Sequence, residues 1–423
     1  MKKTFVAAAV LGAFAASAMA ADVTLYGVID TGLHYSNTNA ESKHDVSSFD
    51  MKSGVSAGNR WGLKGTEDLG NGYKVGFVLE NGFTEDDGKL GNGGRLFGRE
   101  ANLYVASDFG TLSFGRVGAL TSGAGSYDLM KYTPFATGWA GTATKANFML
   151  ADRDRMDNTV TYVTPSFAGV QVYAQYSFNR DGQETAGNER QNDRYAALGA
   201  TYKNGAFSSA LVVDTVMHNN KSANDKDSLG VTLGASYDFE VVKLFAMGQY
   251  GTHETKMGFS SADVGAAVNT VVKAAAKDAL GAQWKNVKNF VSTTSMADQG
   301  WKGYTLSLGA TAPVLGGTLY AQANYLDSET NAKSTAKTNV TGSYVVDGES
   351  SDFDVTTPAY EADKFEAKNW GIALGYAYPF SKRTNVYTYA SYNQLKLTAK
   401  AYGESAYVKN KVTEVGFGLK HSF

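Results

Sequence analysis

From Ser228 to Phe239 the chain reads S-L-G-V-T-L-G-A-S-Y-D-F, with Leu229, Val231, Leu233, Ala235, Tyr237 and Phe239 on one parity and small or polar residues on the other. Successive strand residues face opposite sides, so the pattern predicts a strand with one apolar and one polar face. The alternation returns over 170–178, 304–312, 318–325, 369–378 and 413–423. Each stretch is near the ~9–11 residues that a tilted strand needs to cross a bilayer. Beyond the first twenty residues nothing in the sequence looks like a membrane helix. Lipid accepts only structures whose backbone polar groups are paired internally, so the pattern predicts an all-β fold, a closed transmembrane antiparallel β-barrel.

Sixteen alternating segments can be placed, beginning with 23–35, 58–67, 73–83 and 98–107 and ending with 366–378, 384–397 and 411–423. A barrel of about sixteen strands encloses an aqueous channel, whereas one of about eight is filled by its own side chains. The connections alternate in length. Glu67–Gly72, Thr164–Gly169, Lys203–Gly205, Pro313–Gly317 and Pro379–Thr384 are short and turn-like, which assigns them to the periplasmic side. Longer connections at 36–57, 84–97, 117–156, 179–192, 254–301 and 328–365 then belong outside the cell. Within 254–301, Val264, Val268, Val271, Val272, Ala275, Ala279, Leu280, Trp284, Val287 and Val291 recur at helical spacing, which predicts an amphipathic helix near 263–291.

The first residues place the barrel in a compartment. Lys2 and Lys3 precede the apolar run Phe5–Ala16, and Ala18-Met19-Ala20 forms a small-residue cleavage site, so residues 1–20 read as a secretory signal peptide and 21–423 as the barrel domain. The chain has no cysteine, so no disulfide holds it and its sheet and core must do so. Hydrophobic residues make up 43%, a value that would suit a soluble protein, because a barrel strand gives only half of its residues to lipid. The 47 glycines, 25 tyrosines and 22 phenylalanines against 5 prolines fit long twisted strands with aromatic girdles at both membrane interfaces. Formal net charge is -2, and -4 once Lys2 and Lys3 are removed, which argues against a nucleic-acid partner.

Specific stretches carry a family resemblance. Val23–Asp30 (VTLYGVID), Arg60–Gly70 (RWGLKGTEDLG), Phe114-Gly115-Arg116, Asp157–Pro165 (DNTVTYVTP) and Gly418–Phe423 (GLKHSF) look like the general diffusion porins of Gram-negative outer membranes, above all their β-proteobacterial branch. The match runs in order through residues 21–423. It implies a sixteen-stranded barrel, a homotrimer, a location in the cell outer membrane reached through the periplasm, and a third extracellular loop folded inward to narrow each channel. Small hydrophilic solutes and ions would pass by diffusion, with no cofactor. Outer-membrane lipid and the assembly machinery would be the partners, the latter reading the terminal Phe423.

Parity and resemblance together give the candidate pore residues. Trp61 and Leu63 take the lipid side of their strand, so Arg60 and Lys64 face the lumen, and Lys74 lies on the inward parity of the next strand. In similar porins the wall opposite the folded loop carries a basic cluster, and Arg60, Lys64, Lys74, Arg99 and Arg116 stand where the resemblance puts it. Arg99 and Arg116 share parity with lipid-facing neighbours, so they reach the lumen only where the strand bulges or has ended. In the third loop, Tyr127–Phe135 resembles the segment that bends into the pore. Many relatives carry an acid before the phenylalanine; here Pro134 precedes Phe135, leaving Asp128 as the main acid, with Lys131 close by to offset it. A basic wall facing a weakly acidic loop implies a mild preference for anions.

Other functions find little support. His34, His44, His218, His253 and His421 stand alone, with no G-x-S-x-G motif, so a hydrolase has no candidate nucleophile and base. Gly110–Val117 has two glycines of a phosphate loop but lacks its Lys-Ser/Thr. Glu85-Asp86-Asp87 and Asp347–Asp354 lack calcium-loop spacing and read as solvated loop charge. Two alternatives to a general channel remain open. One is a substrate-specific channel, for which Tyr320 on an inward parity would fit an aromatic slide. The other is an adhesin or receptor role carried by the long loops.

Overall fold

The fold, obtained as a computed structural model, describes residues 22–40, 45–135, 139–144, 148–151, 153–182, 192–218, 226–255, 257–258, 287–297, 300–331, 334–346, 349–356, 360–362, 365–401 and 404–423. The expected signal peptide lies outside these residues. Period-two alternation and β-branched and aromatic side chains produce strands throughout. They are β1 (Asp22–Ala40), β2 (Val46–Ser53), β3 (Arg60–Gly70), β4 (Tyr73–Gly82), β5 (Glu100–Ser107), β6 (Gly110–Gly118), β7 (Arg155–Val163), β8 (Val170–Ser177), β9 (Arg194–Asn204), β10 (Phe207–Met217) and β11 (Leu229–Asp238). After β12 (Lys243–Glu254) come β13 (Val287–Ala297), β14 (Trp301–Val314), β15 (Gly317–Thr330), β16 (Ser334–Val346), β17 (Glu349–Thr356), β18 (Tyr360–Ala362), β19 (Glu366–Pro379), β20 (Thr384–Ala401) and β21 (Glu404–Ser422).

Sixteen of these, all but β2, β13, β16, β17 and β18, pair with their neighbours as an antiparallel barrel. Closure comes from β1. It pairs with β3 through Tyr26↔Gly62 on one side and with β21 through Leu33↔Phe417 on the other. Short turns and both ends of the barrel chain share one rim, and the long connections leave from the opposite rim. The tight turn at Asn71-Gly72 shows why small turn residues sit there, since both adopt positive φ (52° and 80°).

The distribution of side chains is inside-out relative to a protein dissolved in water. Leu198, Leu211, Leu233, Leu306, Leu308, Ile372, Leu374 and Phe417 are exposed on the outer face. Thr232, Ser236, Gln249, Thr305, Ser307, Asn324, Asn369 and Asn393 are buried on the inner one. An outer face of this kind needs lipid as its solvent.

Three of the long connections, 36–57, 254–301 and 328–365, carry strands of their own. The first contains β2, which continues the β1 hairpin through Thr31–Thr38, while residues 54–59 turn in toward Asp30: Ser56 donates to its carboxylate from both N and Oγ. The helix expected near 263–291 falls mostly outside the described residues, but its last part, Val287–Val291, belongs to strand β13 and so corrects that expectation. There β13 pairs with β16, and β16 with β17 and β18, in a separate four-stranded sheet. Valines at helical spacing are also β-branched, and ladder partners far along the chain, Tyr344 for Val287 and Thr341 for Val291, decided between the two periods. Helical structure among the described residues amounts to three short 3-10 turns, at Asn92–Gly94, Thr142–Thr144 and Phe148–Leu150.

Candidate functional site

The connection between β6 and β7 does not stand out from the rim; it lies against the inner wall. Ala119, Leu120, Leu129, Met130 and Tyr132 pack with Tyr195, Ala197, Ala210, Val212, Val216 and Met247, inward residues of β9, β10 and β12. Farther on, Phe135, Trp139, Ala140 and Ala143 pack with Tyr320, Ala373, Tyr387, Tyr389 and Val55. Hydrogen bonds to the loop backbone fasten this second half: Ala140 N donates to Val55 O, Thr142 N to Glu414 Oε2, and Asn324 Nδ2 to Ala143 O. The wall makes room for the loop with glycines. A Cβ on Gly199, Gly234, Gly309, Gly375 or Gly371 would stand under 3.0 Å from Leu129, Tyr132, Pro134, Phe135 or Ala143, respectively. Among the described residues the loop thus follows the wall from β8 round to β21, with a further bond from Ser126 N to Glu100 Oε2 on β5 at 3.2 Å, and the more open part of the lumen lies beside β1–β7.

That free wall is basic. Arg99 Nε donates to Glu80 Oε1 at 2.7 Å, Tyr26 OH donates to Glu80 Oε2 at 3.0 Å, and Arg60 Nε lies 3.9 Å from the same carboxylate. Arg99 escapes the lipid side because β5 begins only at Glu100; its own N–H bonds Glu80 O from outside the regular ladder. Lys64 sits 5.3 Å above the Tyr26 ring. At Arg116 the β6–β7 register slips between Gly115 and Val117, and the guanidinium reaches Asp157 Oδ1 at 2.7 Å and Gly98 O at 2.9 Å. Arg95 holds both oxygens of Asp157, and Arg155 is near enough to feel the charges of Arg99 and Arg116. Among the described residues, Arg60, Lys64, Arg95, Arg99, Arg116 and Arg155 gather around the carboxylates of Glu80, Glu100, Asp154 and Asp157, six cations to four acids in this cluster.

Two candidate residues stand apart from this group. Lys74 pairs with Asp68 next to the short-turn rim, whereas Arg60 pairs with Gly82, about 26 Å farther along β4 at ~3.3 Å per residue. Asp128 is turned into its own loop and is 5% exposed; its Oδ1 accepts from Gly123 N at 2.9 Å and Met130 N at 3.0 Å. Burial raises its pKa to about 6, against the pull of those two N–H groups and of Lys131. Its neighbours across a cavity of about 360 Å³ are Gln171, Tyr173, Thr201, Lys203 and Ser208.

Tyr320 does face inward, but its ring packs 5.7 Å from both Phe135 and Trp139, within the loop's seat. Phe423 closes the barrel. Its N and O both bond Gly27, and its ring lies where a side chain on Gly27 would be. Sequence reasoning missed Glu80, Asp157 and Arg155, which balance and extend the basic wall, and a buried ion cluster of Arg153, Asp214 and Glu254. Asp214 on the inward parity beside Val212 and Val216 was the one available signal for the latter.

Comparison with known proteins agrees with this geometry. Residues 7–399 match the Gram-negative porin family. An outer membrane porin of Bordetella pertussis is 34% identical, with 100% of each chain covered. Outer membrane porin protein 32 of Delftia acidovorans is 34% identical over 61% of this chain and 72% of its own. Among solved structures, an anion-selective porin from Comamonas acidovorans superimposes with a TM-score of 0.62 at 25% identity, covering 95% of this chain and 100% of that one.

Proposed function

Since this chain belongs to the Gram-negative porin family and is an outer-membrane channel for passive diffusion, we propose that it conducts small hydrophilic solutes and ions with a weak preference for anions. The observation that carries the preference is the placement of Arg60, Lys64, Arg99, Arg116 and Arg155 on the wall left free by the loop. Arginines stay charged at every physiological pH, so such a field is permanent. Cations on one side of a water-filled lumen raise the local concentration of anions without holding any of them. The anion selectivity of the Comamonas acidovorans relative supports the same sign. Lys74 would act at the short-turn mouth, and Asp128 as a charge within the loop.

The reading extends to assembly as a homotrimer in outer-membrane lipid, which membership of the porin family supports, and to Phe423 as the terminus that the assembly machinery would read. Export would remove residues 1–20. The reading needs no cofactor and no catalytic step. Single-channel recording across a salt gradient is the test. Wild-type protein should give a reversal potential of the anion-preferring sign, and a cation-preferring sign would refute the proposal while leaving the channel itself intact.

A further inference from the structure

Both ends of the inner loop converge on one carboxylate. At its start, Thr121 Oγ1 donates to Asp214 Oδ2 at 2.7 Å; at its end, Arg153 Nε donates to Asp214 Oδ1 at 2.8 Å. Arg153 is 0% exposed at its side chain and continues to Glu254, with Nη1 to Oε2 at 2.7 Å and Nη2 to Oε1 at 3.1 Å. Its Nη2 also donates to Ser228 Oγ at 3.1 Å. Glu254 ends β12 and Asp214 sits in β10, so one guanidinium ties the loop to two wall strands. Every charged partner here is shielded from water, where a planar fork loses little freedom on pairing and where removal of either partner leaves an uncompensated charge.

We infer that Asp214 and Arg153 are positioning residues of the channel: a buried clasp that holds the two ends of the loop together on the wall and thereby fixes the aperture. Packing and glycine seats locate the middle of the loop. At the ends, Ala119 N donates to Asp154 O at 3.0 Å and Leu120 N to Gln175 Oε1 at 3.1 Å, and the buried clasp adds the charged tie that fixes both ends to β10 and β12. A loop clasped at both ends has a single resting position, so the open channel should carry a steady current.

This inference rests on the channel reading, and the test separates the two. Wild-type protein, Asp214→Asn, Arg153→Met, Arg153→Lys and Thr121→Val are purified folded and recorded singly in planar bilayers. Asp214→Asn and Arg153→Met should show open-channel current noise raised by about twofold or more, with an altered mean conductance, at an unchanged fraction of heat-resistant folded protein. Arg153→Lys should recover part of the steadiness. Thr121→Val removes only the first tie without stranding a charge, so it remains informative if the charged variants do not fold, and it should raise the noise less. Wild-type conductance and noise in folded Asp214→Asn, or in Thr121→Val where that is the only variant to fold, would overturn the clasp. Absence of any conductance from wild-type protein would instead overturn the channel.

Discussion

A carboxylate that is 5% exposed has lost most of its hydration, and two backbone N–H groups return only part of it to Asp128. With its pKa at about 6 against an ordinary 3.8, the folded protein takes up a proton that the unfolded chain still lacks. Between those values the native state binds more protons, so stability of the loop rises as pH falls through 6 and is lost again as pH rises, by ~3 kcal/mol in all. Neutralising Asp128 also makes the lumen more positive. Reversal potential should therefore move toward anions between pH 7 and pH 5, and Asp128→Asn should abolish that step; a step that survives in the variant belongs to another group. On the free wall, Arg60→Gln with Lys64→Gln should move the reversal potential toward cations. One charge at ~7 Å in water is worth about 0.6 kcal/mol, a factor of ~3 in ion concentration, and salt should shrink the effect. An unchanged reversal potential in dilute salt would remove these two residues from the constriction.

At the level of the element, the wall strands are shaped to receive the loop. Gly234 of β11 leaves space that the Tyr132 ring fills, so Gly234→Ala must displace the ring, at a cost of ~1–3 kcal/mol for overpacking. Conductance should change while reversal potential stays, because aperture moves and charge does not. A shift in both would mean that the wall itself had distorted. The last strand offers a second test. Deleting Phe423 should cut folded yield sharply while secretion continues, whereas Phe417→Ala loses only an outward-facing apolar side chain. Gly27→Ala intrudes on the Phe423 ring without removing it. Folded yield that falls with Gly27→Ala as far as with the deletion would mark Phe423 as a seal of the β1–β21 seam rather than a terminus read by a receptor.

For the whole molecule, an apolar outer face around a polar inner one makes the membrane part of the fold. Reconstituted protein should insert as units whose conductance closes in three equal steps, if the assembly is a trimer. Single steps of full size would argue for independent barrels. Circular dichroism should be dominated by strand, since the described residues hold only short 3-10 turns beside the sheets.

Alternation determined the fold class, and the lengths of the connections the long and short rims, because the period of a strand is local and both solvents, lipid and water, act on single residues. It also marked Arg60 and Lys64 as inward-facing. What it could not decide depends on partners distant in sequence. Val287 and Val291 obeyed a helical spacing until β16 supplied a ladder. Arg99 and Arg116 broke parity, and only a strand start and a register slip show where their charges go. Asp128 carried the right chemistry but is folded into its own loop, and Lys74 has the right parity at the wrong height. Height along a barrel and the closing of a loop are set by how strands pair and pack around the ring, which parity does not encode.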